Sequence, residues 1–93
     1  MDFSFETSKE EETAVAELSG LENSLILHND NINTFEWVIK TLVEVCKHTL
    51  QQAEQCAYII HYKGKYAVKH GNLELLKPLK DEITDRGIGA TIE

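Results

Sequence analysis

Leu25-Ile26-Leu27-His28-Asn29-Asp30-Asn31-Ile32-Asn33-Thr34-Phe35-Glu36-Trp37-Val38 decides how this chain is read. A short apolar run passes straight into a cluster of small polar side chains, and an amphipathic helical pattern begins at once. Asn29, Asp30, Asn31 and Asn33 are donors and acceptors held at a strand-to-helix junction, where rigid elements on both sides fix their geometry. One of the four is a carboxylate, so the junction suits a small cationic group such as an amine. An Asx turn followed by a helix N-cap is the plainer account. It covers Asn33 well, but one cap needs only one of the four residues.

The rest of the pattern follows outward from this junction. Ser24–His28 is the first strand. Asn33 and Glu36 stand in capping-box spacing, with Asn33 as the cap of the first helix. Phe35, Val38, Ile39, Leu42, Val45 and Cys46 then recur at helical spacing and predict one buried face. Lys47 and His48 lie at its end, where cations favour the helix dipole. Thr49 and Gln52 open a second helix, with Leu50, Ala53, Ala57 and Ile60 as its inner stripe and Cys56 beside it. Lys63-Gly64-Lys65 is a turn. Tyr66-Ala67-Val68 alternates as a second strand, closed by His70-Gly71. Pro78 is expected to open the third helix after a loose turn over Asn72–Lys77, with Leu79 and Ile83 facing the core and Gly87 ending it. Ile88, Ala90 and Ile92 alternate with Gly89, Thr91 and Glu93 as a third strand. The order is β-α-α-β-α-β. It predicts an α+β fold, a small two-layer sandwich with a three-stranded antiparallel sheet and three helices gathered on one face.

With 93 residues, 42% of them apolar and 27% charged, the chain has room for one modest core. The net charge of −7 is unevenly placed: residues 1–22 hold seven acids against Lys9 alone, while the remainder is close to neutral. The reading divides the chain into a flexible acidic N-terminal extension over 1–22 and a folded domain over 23–93. The extension is either a solubilising tail or a functional one. This balance gives no basis for binding nucleic acid or an anionic bilayer. No apolar run approaches membrane-spanning length, and Met1-Asp2-Phe3-Ser4 lacks the start of a signal peptide. Cys46 and Cys56 fall in helical patterns and read as reduced, core-facing thiols of a cytoplasmic protein.

His61 closes the second helix in Ile59-Ile60-His61-Tyr62-Lys63-Gly64-Lys65. Either it shares a site with Asn29 and Asp30, or it is a surface histidine stabilised by the helix dipole. His28, His48, His61 and Asp30 contain no pair at helical ligand spacing and there is no Cys-x-x-Cys, so no metal and no cofactor are expected. No Gly-x-Ser-x-Gly and no phosphate-cradling glycine loop is present. A proton-transfer site on Asp30 and His61 lacks an identifiable oxyanion hole. Binding without chemistry is the economical reading. Phe35 and Val38, one turn from the polar cluster, would wall a pocket with polar groups at its mouth.

Leu27-His28-Asn29-Asp30-Asn31-Ile32-Asn33-Thr34-Phe35-Glu36-Trp37-Val38, then Ala57-Tyr58-Ile59-Ile60-His61-Tyr62-Lys63-Gly64-Lys65, then Thr91-Ile92-Glu93 resemble the ClpS family, adaptors of the ATP-dependent Clp protease. The resemblance covers about residues 24–93 and implies the same α+β sandwich. It further implies an adaptor that binds N-terminal degradation signals and delivers their bearers to a Clp AAA+ ATPase. Such a signal is a free α-amine with a large apolar first residue. Partners would be substrate proteins and the N-terminal domain of a ClpA- or ClpC-type ATPase, with the adaptor itself a monomer. By resemblance Asn29 and Asp30 hydrogen-bond the α-amine, His61 assists and Asn33 belongs to the same peptide-binding group. Phe35 stands for the family's gating methionine, and Val38, Ala57 and Ile88 line the apolar pocket. The acidic extension matches an arm that takes part in delivery. Asn31 replaces the family's second aspartate, Asn33 and Thr34 replace Thr and Pro, Ala57 replaces a frequent Met, and Leu73–Pro78 departs from the family's third helix. The alternatives are a ClpS-like domain that docks on the ATPase without recognising the amine, and a small enzyme using Asp30 and His61.

Overall fold

A computed structural model describes residues 22–93. The elements run β1 (Asn23–His28), α1 (Phe35–Cys46), α2 (Leu50–Lys63), β2 (Lys65–Gly71), α3 (Leu73–Asp85) and β3 (Ala90–Ile92). The sheet order is β2-β1-β3, with both pairings antiparallel. The expected α+β sandwich and its element order are therefore present. The acidic extension lies outside the described residues, except for Glu22.

Strand β1 is central, so Leu25, Ile26 and Leu27 are all buried where a half-exposed strand would alternate. Leu25 and Leu27 share a single apolar cluster with Leu42 and Val45 of α1, Ala53 and Ile60 of α2, and Leu76 and Ile83 of α3. The β1–β2 register skips Val68, since Leu25 faces Lys69 while Ile26 faces Ala67. The Val68 carbonyl accepts from His48 Nε2 at 3.0 Å. A β-bulge is thus tied to the turn between α1 and α2. His48 serves that turn, while Lys47 ends α1 in the left-handed region at φ 62°.

Several expectations need correction. Thr34, not Asn33, caps α1, its hydroxyl accepting from the Trp37 N–H at 3.0 Å. Phe35 and Leu50 were expected in the core and are exposed, Leu50 by 61%. Each sits in the first turn of its helix. Thr41 is instead fully buried on α1. Helix α3 begins at Leu73 under an Asn72 cap, whose side chain accepts from the Leu75 N–H at 2.8 Å, and Pro78 lies inside it. Proline there removes one intrahelical bond. Leu76 and Ile83, both at 0% exposure on either side of it, hold the helix to the sheet regardless. Strand β3 is shorter than the alternation implied, and Ile88 is buried ahead of it. Strands β1 and β2 extend slightly beyond their predicted limits.

Candidate functional site

The polar junction folds around Asp30. Its Oδ1 accepts from the backbone N–H of Ile32 at 2.9 Å and of Asn33 at 2.8 Å, which is an Asx turn. Its Oδ2 accepts from Asn33 Nδ2 at 2.7 Å. These bonds, the Asn33 backbone N–H first, then its side chain and the Ile32 N–H, hold the Asp30 carboxyl below the usual carboxylate range. A carboxylate offers about four lone-pair positions. Three are engaged within the loop, and the charge remains at an exposed position. The Asn29 N–H donates to the Gly64 carbonyl at 2.8 Å, which brings the junction against the end of α2. Gly64 adopts φ +92°, so the turn there favours glycine.

A narrow cleft of about 10 Å³ opens at this junction. Asn29, Asp30 and Asn33 contribute from the junction, Val38 from α1, and Ile88 from the approach to β3. Five residues named from the sequence thus meet in one concavity. Leu27, His28 and Ile60 complete it. Ile60 was legible as part of the α2 inner stripe. His28 was not, because its position depends on a bond between its Nε2 and Thr91 Oγ1 at 2.9 Å across the sheet.

The other three named residues lie elsewhere. Ala57 is buried in α2 but does not line the cleft. Phe35 and His61 are exposed and lie edge to face, with ring centroids 6.3 Å apart. Phe35 also meets Tyr58 at 6.3 Å, and His61 meets Tyr62 at 5.1 Å. This aromatic group sits beside the cleft in sequence terms, since Phe35 is one turn before Val38 and His61 follows Ile60. The bonds of the Asp30 carboxylate go to Ile32 and Asn33, and no hydrogen bond joins it to His61 among the described residues. No group of three or more His, Cys, Asp or Glu residues able to hold a metal occurs among the described residues.

A family model, ATP-dependent Clp protease adaptor protein ClpS, matches residues 22–90. The chain belongs to the ClpS family. The ATP-dependent Clp protease adapter protein ClpS of Lawsonia intracellularis (strain PHE/MN1-00) is 38% identical over 40 residues, which is 43% of this chain and 37% of that relative. The chain thus matches little more than a third of that ClpS. The structure of Agrobacterium tumefaciens ClpS2 bound to L-phenylalaninamide is similar with a TM-score of 0.69 and 19% identity. It covers 78% of this chain and 95% of ClpS2. At that identity the likeness establishes the shared fold.

Among the described residues no helix is long and apolar enough to cross a membrane. Burial pushes the Cys46 thiol up to about 11 and raises that of Cys56. Neither cysteine is paired.

Proposed function

We propose that the domain is a non-enzymatic adaptor. It binds the free α-amine and large apolar first residue of a degradation signal and passes the bearer to a Clp AAA+ ATPase of the ClpA or ClpC type, through that ATPase's N-terminal domain. The observation that carries this reading is the cleft, which combines a polar rim of Asn29 and Asp30 with apolar walls of Val38, Ile60 and Ile88. A protonated amine partly removed from water needs charged or hydrogen-bonding partners, and the first side chain needs an apolar lining. The ionised Asp30 and the Asn29 amide supply the first, and Val38 and Ile88 the second. His61, exposed at the end of α2 and edge to face with Phe35, assists.

A space of about 10 Å³ holds roughly one water. Entry of a Leu or Phe side chain therefore widens the cleft, and Phe35, exposed at the start of α1, is the side chain assigned to the gate. The ClpS2 complex with L-phenylalaninamide supports the ligand class by family relationship. The narrowness of the cleft favours a second reading, in which the domain docks on the ATPase without recognising an amine.

An NMR titration with an unlabelled Leu-start peptide tests the proposal. Saturable shifts at the amides of Asn29–Asn33 and Ile88 are expected. Shifts confined to other surfaces, or none at millimolar peptide, would leave the second reading standing.

A further inference from the structure

Two side chains one helical turn apart reach from the entrance of α1 to the corner between α3 and β3. Trp37 Nε1 donates to the Arg86 carbonyl at 3.0 Å, and Asn33 Nδ2 donates to the Gly87 carbonyl at 2.9 Å. Consecutive carbonyls of the corner are thus held by residues at i and i+4. Neither bond is a by-product of helix formation, because Thr34 caps α1 and leaves the Asn33 amide free. The corner is tightly wound. The Gly87 N–H donates to the Thr84 carbonyl at 2.9 Å, the Ile88 N–H donates to the Ile83 carbonyl at 3.2 Å, and Gly87 has φ +88°. Ile88, the next residue, is 2% exposed and forms a wall of the cleft. Asn33 and Val38 belong to another wall.

The indole is braced in turn. The Arg86 guanidinium lies 5.6 Å from the Trp37 ring centroid and pairs with Glu44 of α1 at 2.8 Å and Glu82 of α3 at 3.4 Å. Main chain and side chain of Arg86 therefore grip the same indole, one by hydrogen bond and one by its cation. Asn33 has the complementary link, since its Nδ2 also donates to Asp30 Oδ2. One amide nitrogen ties the charged loop to the corner that carries Ile88.

We infer that Asn33 and Trp37 form a seam that sets the width of the cleft, and so decides which first residues it admits. This rests on the proposed reading of the cleft as a first-residue pocket. Trp37 is a positioning residue that acts through the placement of Ile88, while Asn33 lines the cleft and also links Asp30 to the corner before Ile88. A latch that is merely structural would alter stability and leave the ranking of first residues untouched. A seam that sets width alters the ranking, because the two walls it joins move apart when it is cut.

The test uses the full chain and Trp37→Phe, which keeps an aromatic ring and removes the indole N–H. Amide hydrogen exchange at residues 86–89 is expected to quicken about tenfold or more, while the β1 amides keep wild-type protection. Peptides that differ only in starting with Leu or Trp share every amine contact, so the ratio of their affinities isolates width. That ratio is expected to move toward Trp by about threefold or more. Should Trp37→Phe fail to fold, Asn33→Asp, which keeps the side chain's size in the cleft lining and removes the Nδ2 donor, supplies the same two readouts. Unchanged exchange at 86–89 in a folded variant overturns the seam. Faster exchange with an unchanged ratio overturns its role in specificity. A wild-type protein that binds neither peptide contradicts the proposed function and the specificity role together, while exchange still decides the seam.

Discussion

Asp30 carries the negative charge of the junction and also builds the loop that presents it. Its carboxylate caps two backbone N–H groups and one side-chain amide. Asp30→Ala is therefore expected to lower the affinity for a Leu-start peptide by at least about tenfold, or ~1.4 kcal/mol, in a domain that stays folded. Isothermal titration checks this, and wild-type affinity in the folded variant would remove Asp30 from the site. The pH dependence has a defined sign. The folded carboxyl titrates below its ordinary 3.8, so its contribution is complete above that value and is lost as pH falls through the lowered one. The Asp30 side-chain carboxyl carbon resonance should hold steady from neutrality to about pH 4.5 and move only in more acid solution. A midpoint above the ordinary carboxylate range would contradict the assigned bonds. Cys46, pushed up to about 11, holds little thiolate at pH 8. Its reaction with a disulfide reagent should be ~100-fold slower than that of a free thiol, until the protein unfolds. The sequence located the polar cluster but not the division of labour within it. Asn33 and Thr34 are adjacent cap formers, and what separates them is the Gly87 carbonyl, 54 positions away in sequence.

Helix α3 is where local propensity and tertiary burial disagree most. A proline within a pattern signals a boundary, and on that basis the helix was expected to start at Pro78. The observed start at Leu73 reflects the Asn72 cap and the burial of Leu76, which a helix opening at Pro78 would forfeit. Asn72→Ala should cost about 1 kcal/mol of stability, the usual worth of a cap. Pro78→Ala should add stability, by as much as ~3 kcal/mol where proline occupies a helix interior. Urea unfolding measures both, and a loss of stability in Pro78→Ala would show that the proline serves packing that α3 depends on. The stripes of α1 and α2 were legible from spacing alone because their middles are buried. Their first turns were not, since Phe35 and Leu50 obey the spacing yet are exposed.

At the scale of the molecule, the order of elements was readable because each is bounded by strong punctuation: the Asn/Asp cluster, Thr49, Lys63-Gly64-Lys65 and Gly87. The cleft was only partly readable. Its rim and its four apolar residues lie in or beside recognisable elements, whereas His28 joins through a cross-sheet bond that no local pattern encodes. The acidic extension is proposed to act in delivery and not in recognition. Removing residues 1–22 should leave peptide affinity unchanged and sharply slow degradation of a Leu-start reporter by a Clp protease. Equal degradation rates at matched soluble concentration would assign the extension a solubilising role alone.

The proposed function requires the cleft to read a free α-amine together with an apolar side chain. Fluorescence anisotropy with a labelled Leu-start peptide and its N-acetylated twin tests it most directly. Saturable, reversible binding of the free-amine peptide is expected, with a loss of at least about tenfold on acetylation, since the charge-assisted contact between the ammonium and Asp30 is removed. Equal affinity for the two peptides, or no binding of either, would contradict it.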